Sequence, residues 1–139
     1  MIIRPFEPPD EAAVIELWRR CNLIRPQSDP HKDITRKMRV QPHMFLVAVV
    51  EGALVGSVMA GYEGHRGWLN YVGVAPEHRK RGIGRALIDE AERLLREAGC
   101  PKINLQVFSG NHAAMHFYRS IGFVFDDSVS SMGKRLQRD

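Results

Sequence analysis

The chain is poor in the features that mark secreted, membrane or modular proteins. It has only two cysteines, Cys21 and Cys100, in 139 residues. They lie far apart and each sits among apolar neighbours, which reads as buried thiols in a reducing cytoplasm and as neither a disulfide nor a metal site. No apolar run approaches the roughly 20 residues that cross a bilayer. The opening MIIRPFEPPD lacks the long apolar region of a signal peptide and is broken early by prolines. There is no low-complexity stretch, internal repeat or Gly/Ser linker. The expectation is one cytoplasmic, metal-free domain over residues 1–139, close to the commonest domain size and able to bury about two-thirds of its surface.

What the chain does have is a local excess of positive charge. The net charge is only +4, but basic residues concentrate at positions 78–85 and in the C-terminal tail. Such a cluster suits nucleic acid or a phosphate-rich small molecule. No helix-turn-helix, zinc or RNP signature supports the first reading, so nucleic acid is disfavoured.

The cluster sits in residues 79–87, RKRGIGRAL. Before it lies a strand-like stretch, 69–74, and after it an amphipathic helix. Strand, basic glycine turn and helix is a layout for holding phosphate. The first backbone N–H groups of a helix are unpaired, and the helix dipole adds partial positive charge there. Glycines permit close approach to the backbone. Two common phosphate loops are excluded by spacing. A nucleotide P-loop needs Lys and then Ser or Thr after its last glycine, where this chain has Arg85. The dinucleotide fingerprint needs a third glycine after Gly82 and Gly84, and none follows.

The pattern that remains resembles the acetyl-CoA loop of the GNAT N-acetyltransferase superfamily, Q/R-x-x-G-x-G/A, with Arg79, Gly82 and Gly84 in its fixed places. A second segment, NHAAMHFYRSIGF at 111–123, resembles that superfamily's N-x-x-A-x-x-x-Y-x-x-x-G-F. Asn111, Ala114, Tyr118, Gly122 and Phe123 fill it. The segment is also sound physically: Asn111 is a good N-cap, residues 111, 114 and 118 share a helix face, and Gly122 ends the helix. The stretches CNLIRP, DPHKDI and GHRG resemble the YpeA-like bacterial branch.

Periodicity gives an element order. Residues 1–6 read as a strand, and Asp10 as the cap of a helix carrying Val14, Leu17, Trp18 and Cys21 on one face. Asp29-Pro30 starts a short helix to about residue 40. Strands at 45–50 and 53–62 flank a tight turn at Glu51-Gly52, and the strand through Val74 follows. The helix after the glycine loop carries Ile83, Leu87, Ala91, Leu94 and Ala98 and ends at Gly99. Ile103, Leu105 and Val107 alternate as a strand. After the helix from Asn111, strands are expected near Phe123 and Val129. The order βααβββαβαββ resembles the GNAT fold, an α/β arrangement of one mixed sheet with helices on both faces.

The resemblance implies a chemistry. Strands four and five would splay around acetyl-CoA as co-substrate. Val72, Gly73 and Val74 would pair with the pantetheine arm, with a bulge at Gly73 aiming an N–H at the thioester oxygen; a merely close-packed strand is the alternative there. The pyrophosphate would rest on the amides of Arg81, Gly82, Ile83, Gly84 and Arg85, with Arg79 and Lys80 close by. Asn111 would contact the pantetheine arm or hold the neighbouring backbone. Tyr118 would protonate the departing thiolate.

The base for the acceptor amine is unassigned. Gln106 stands where many relatives have glutamate, and a glutamine cannot take a proton. Glu63 and His65 could serve, directly or through water, although a solvated turn is their commoner role. Arg25, Asp29, His31 and Asp33, before and in the second helix, could bind a small polar acceptor, or could be a cap and solvated charges. The leading reading is an acetyl-CoA-dependent N-acetyltransferase acting on a small-molecule or protein amine, with room for a homodimer. A cofactor-binding sensor without turnover, and a basic nucleic-acid binder, are the alternatives.

Overall fold

The structure, a computed structural model, describes residues 1–139. They form two compact units, Met1–Leu105 and Gln106–Asp139.

The first unit is built on a five-stranded sheet in the order β1-β2-β3-β4-β5, comprising β1 (Ile2–Pro5), β2 (Phe45–Val50), β3 (Ala53–Tyr62), β4 (Gly67–Val74) and β5 (Ile103–Leu105). The first four strands pair antiparallel and β4 pairs with β5 parallel. The parallel pair needs a crossover, and α3 (Ile83–Glu97) supplies it. Two shorter helices, α1 (Glu11–Arg20) and α2 (Pro30–Lys37), join β1 to β2.

Neighbouring residues of β3 show that both faces of the sheet are covered, since successive side chains point to opposite sides. A Cβ on Gly56 would meet Leu87 Cδ1 of α3 at 2.9 Å. The adjacent Ser57 instead accepts a hydrogen bond from Trp18 Nε1 of α1, at 2.9 Å. Gly56 is therefore the position that lets α3 approach the sheet. Double coverage also explains why β2, FLVAVV, and the middle of β3 read as near-continuous apolar runs. Leu87, Leu95, Val14 and Trp18 are fully buried. Removing the side chain of a leucine placed like Leu87 costs about 2–5 kcal/mol.

Local sequence explains most of the element ends. Glu51 and Gly52 both have positive φ, at 49° and 79°, the pairing a two-residue hairpin turn requires. Asp29 Oδ1 accepts from the amides of His31 and Lys32, at 2.9 and 3.3 Å, and Pro30 opens α2. That helix stops at Lys37, short of the expected position 40, and Gln41 has turned to φ 53°. Asp10 does not cap α1 with its side chain. Its carboxylate is taken by Arg4, at 2.7 and 3.0 Å, and by the amide of Glu7, at 2.9 Å.

The second unit contains α4 (His112–Ser120). Asn111 Oδ1 accepts from the Ala114 amide at 3.1 Å, the expected cap, and Gly122 follows the helix at φ 103°. The two strands expected near Phe123 and Val129 are not formed, so the order ends after α4. Asp126 instead turns the chain, accepting from the Ser128 amide at 3.0 Å. Val124, Phe125, Val129, Met132 and Leu136 stay exposed, without the burial that would offset the entropy of ordering a strand.

Candidate functional site

The glycine turn between β4 and α3 differs from the starts of the other three α-helices in having neither a side-chain cap nor an acidic residue in its first turn. Gly82 stands at the N-cap with φ 81°, and no side chain bonds back to it. The first amide to return is that of Ala86, to the Gly82 carbonyl at 3.0 Å. The amides of Ile83, Gly84 and Arg85 are thus the open donors of this end, and Lys80, Arg81 and Arg85 are exposed around it. Lys80 has φ 63°, so the turn bends through two left-handed positions, one of which only glycine adopts at no cost.

Arg79 has a different job from its neighbours. Its Nε donates to the Val74 carbonyl at 3.0 Å, and its guanidinium reaches Cys21 Sγ at 3.7 Å. Cys21 Sγ contacts the same carbonyl at 3.4 Å. Arg20 pairs with Glu77 one turn earlier and holds that carboxyl down to about 2. Together these contacts tie the end of α1 to the approach of the glycine turn. The two cysteines are free thiols and half-buried, less enclosed than their apolar neighbours suggest.

β4 carries the second component. Its pairing with β5 joins Gly67, Trp68 and Leu69 to Ile103, Asn104 and Leu105 and stops there, whereas β4 runs on to Val74. Residues 70–74 therefore have β3 on one side and no strand of the sheet on the other, because β5 ends at Leu105, short of the Val107 expected from its alternation. Within this stretch the register with β3 slips. Ser57 faces Gly73 while Met59 faces Asn70, so β4 has one residue more than its partner.

The bulge lies earlier than the sequence suggests. Tyr71, with φ 51°, takes the left-handed position, and Gly73 is packed instead: a Cβ there would lie 3.0 Å from Leu23 Cδ1 and 3.2 Å from Cys21 Sγ. The bulge has a visible consequence. Gly67 faces Leu95 and Cys100 on the α3 side, while Gly73 faces Cys21 and Leu23 on the α1 side. Positions six apart in a regular strand would share a face.

A bulky residue in the left-handed region is costly, on the order of 1–3 kcal/mol, and here its surroundings impose it. The Tyr71 carbonyl accepts from Ser57 Oγ at 2.8 Å, and Ser57 accepts from Trp18. The Tyr71 ring stacks on Trp18 with centroids 3.6 Å apart and planes 9° apart. Its hydroxyl donates to Asp33 Oδ2 of α2 at 2.5 Å. Asp33 is therefore no solvated charge. Arg36 lies 3.5 Å from its other oxygen. Sequence reasoning passed over this pair because 38 positions separate its members and nothing in LNYVGV announces a left-handed tyrosine. Asp29, by contrast, is the cap it was read to be, and His31 lies 3.5 Å from Glu11.

The residues considered as bases fare differently. Glu63 Oε1 accepts from the amides of His65 and Arg66, both at 2.5 Å, and these bonds lower its pKa. It serves the turn. In the second unit, Gln106 Nε2 donates to Ser131 Oγ at 2.5 Å. Tyr118 packs edge-on against Phe117 and Phe123, at 5.3 and 5.7 Å, and burial pushes its phenol up to about 12. No group of three or more His, Cys, Asp or Glu side chains is arranged to hold a metal, and no helix is long and apolar enough to cross a membrane.

Residues 11–123 match the Acetyltransferase (GNAT) family. An acetyltransferase of Sodalis glossinidius is 50% identical over 139 residues, covering 100% of this chain and 98% of its own. The Naa20 structure from Chaetomium thermophilum, solved with a bisubstrate analogue, is 27% identical with a TM-score of 0.72, over 88% of this chain and 70% of that one. The PaiA N-acetyltransferase of Thermoplasma acidophilum, solved with coenzyme A, has a TM-score of 0.80 at 22% identity, over 91% of each chain.

Proposed function

The chain belongs to the GNAT family and is an acyltransferase that carries out acetyl transfer, and from that premise we propose that it moves an acetyl group from acetyl-CoA to a primary amine by direct attack in a ternary complex. The observation that carries this reading is a conjunction within the first unit. The uncapped glycine start of α3 follows directly on the stretch of β4 that has no strand beyond it. One offers amides and cations to a pyrophosphate, and the other offers free main chain to an extended amide-containing arm.

In this reading the amides of Ile83, Gly84 and Arg85 take the pyrophosphate, with Arg81 and Lys80 adding charge. The Val74 carbonyl already accepts from Arg79, which leaves Val72 as the better main-chain partner for the pantetheine. An N–H at the Tyr71 bulge, rather than at Gly73, stabilises the oxyanion as the tetrahedral intermediate forms. Asn111 is assigned to the cofactor by the resemblance, beside its work as a cap.

Tyr118 is assigned to the departing sulfur, and its environment refines that role. A phenol at about 12 stays protonated at neutral pH and is available as a donor. A thiolate has a pKa near 8.5, so complete transfer from Tyr118 is uphill by roughly 5 kcal/mol. A hydrogen bond that stabilises the leaving thiolate is the step this phenol can perform.

The acceptor is a small-molecule or protein amine, and the domain spans residues 1–139 in the cytoplasm. Calorimetry with acetyl-CoA, followed by a thiol-release assay over a panel of amines, tests the proposal. Binding without release against every amine would favour a sensor. Absence of binding would remove the cofactor assignment altogether.

A further inference from the structure

Tyr71 is held in a strained conformation by linked contacts to its ring, its carbonyl and its hydroxyl. Trp18 stacks on the ring, Ser57 holds the carbonyl, and Asp33 Oδ2 accepts a hydrogen bond from the phenol at 2.5 Å. An observed backbone outlier fixed in this way points to function. The residue lies on the part of β4 beyond its pairing with β5, on the strand to which the reading above assigns the thioester. Glu63, the other carboxylate considered for the proton, is committed to its own turn.

We propose that Asp33 and Tyr71 form the couple that removes the proton from an ammonium acceptor, with Tyr71 touching the acceptor nitrogen and Asp33 receiving the proton. The inference rests on acyl transfer from acetyl-CoA as proposed above, and it deepens that reading by naming the acceptor as a protonated amine. The ammonium proton passes to the Tyr71 oxygen while the phenol's own proton moves to Asp33 Oδ2. Tyr71 ends neutral and Asp33 ends protonated until water takes the proton. The freed lone pair bonds the thioester carbon, the carbon–sulfur bond breaks with its electron pair on sulfur, and the second proton displaced from nitrogen leaves with that sulfur. Transfer from an alkylammonium, with a pKa of about 8–10, is uphill, and attack on the thioester carbon draws it forward. Arg36, 3.5 Å from Asp33 Oδ1, faces the oxygen that the phenol does not use.

The test compares two kinds of nucleophile. The ammonium acceptors are n-butylamine, spermidine and a short peptide with a free N-terminus; the neutral one is hydroxylamine at about pH 7.5, which needs no proton removed before attack. For Asp33→Asn and for Tyr71→Phe, which keeps the ring stack, kcat/KM with the best ammonium acceptor should fall about 100-fold. The hydroxylamine rate and the acetyl-CoA affinity should stay within a few-fold of the unsubstituted protein. A purely structural pair would lower both rates together, and equal losses, or no loss, overturn the inference. Loss of folding or of acetyl-CoA binding in both variants has the same meaning. If the unsubstituted protein acetylates hydroxylamine and no ammonium, acyl transfer stands and the couple falls. If it binds acetyl-CoA and acetylates nothing, acyl transfer itself falls, and the couple with it.

Discussion

Helices α2 and α3 begin in opposite ways within the same unit. The start of α2 is closed: Asp29 covers two amides with its carboxylate and Pro30 removes a third donor. The start of α3 is open, with a left-handed glycine, no capping side chain and basic neighbours. A cap contributes about 1 kcal/mol, so an uncapped 15-residue helix forgoes stability that its own sequence could have supplied. The difference separates an end built for folding from an end available to an anion, and substitutions at the two ends should separate stability from ligand binding in the same way.

The largest effect is expected at the open end. Gly82→Val puts a β-branched side chain at φ 81°, where such residues are strained, so the turn that presents the open amides must change its backbone. Acetyl-CoA affinity should fall at least 100-fold by calorimetry, while the melting temperature drops by a few degrees. A variant that binds as tightly as the original protein would remove the glycine turn from the site.

Tyr118→Phe comes next and tests the step after binding. The ring packing against Phe117 and Phe123 is kept. With a hydrogen bond lost and no full proton transfer at stake, kcat should fall by roughly 10- to 100-fold with acetyl-CoA affinity unchanged, the pattern of an interaction made in the transition state. Lower stability with unchanged kcat would make Tyr118 a packing residue only.

The third effect belongs to the closed helix. Asp29→Ala should cost about 1 kcal/mol of stability and leave acetyl-CoA affinity alone. The far end of α2 adds a pH dependence. Burial pulls Lys37 down to about 8. Between about pH 10.5 and 8 the unfolded chain takes up a proton that the folded chain refuses, so stability contributed by a neutral Lys37 is lost as pH falls through that window. Lys37→Met should flatten the stability profile there and raise the melting temperature at neutral pH. A profile unchanged by the substitution would place the amine in water.

These contrasts also show what the sequence could disclose. Caps, glycine stops and the hairpin turn were legible at Asp29, Asn111, Gly99 and Glu51-Gly52 because they depend on neighbours a few residues away. The glycine turn was legible for the same reason. The Tyr71 bulge was not, since its cause is the meeting of Trp18, Ser57 and Asp33 with one strand residue across long separations. Asp10 misled because its carboxylate could serve the helix or Arg4, and only the packing of β1 decides between them. Val124, Phe125 and Val129 misled for another reason: strand propensity expresses packing against neighbours, and without pairing it orders nothing.

The smallest effect, and the finest division between the two ends, lies at Arg79. The resemblance gives this side chain to the pyrophosphate, whereas its guanidinium bonds the Val74 carbonyl and lies beside Cys21. The two roles respond differently to substitution. If Arg79 acts as an exposed charge near phosphate, Arg79→Lys should retain most of the affinity for acetyl-CoA. Arg79→Ala should then lose a few-fold at low salt and less at high salt, because exposed charges are screened over about 10 Å at 0.1 M. If Arg79 acts as a brace, the planar guanidinium matters and lysine is no substitute for it. Both variants should then lose the same few-fold, independent of salt, and the turn should become more open to protease. The bond to Val74 favours the brace. Matched calorimetric titrations of the two variants at low and high salt decide it: a lysine variant that binds like the original protein, with an alanine loss that fades in salt, would return Arg79 to the phosphate.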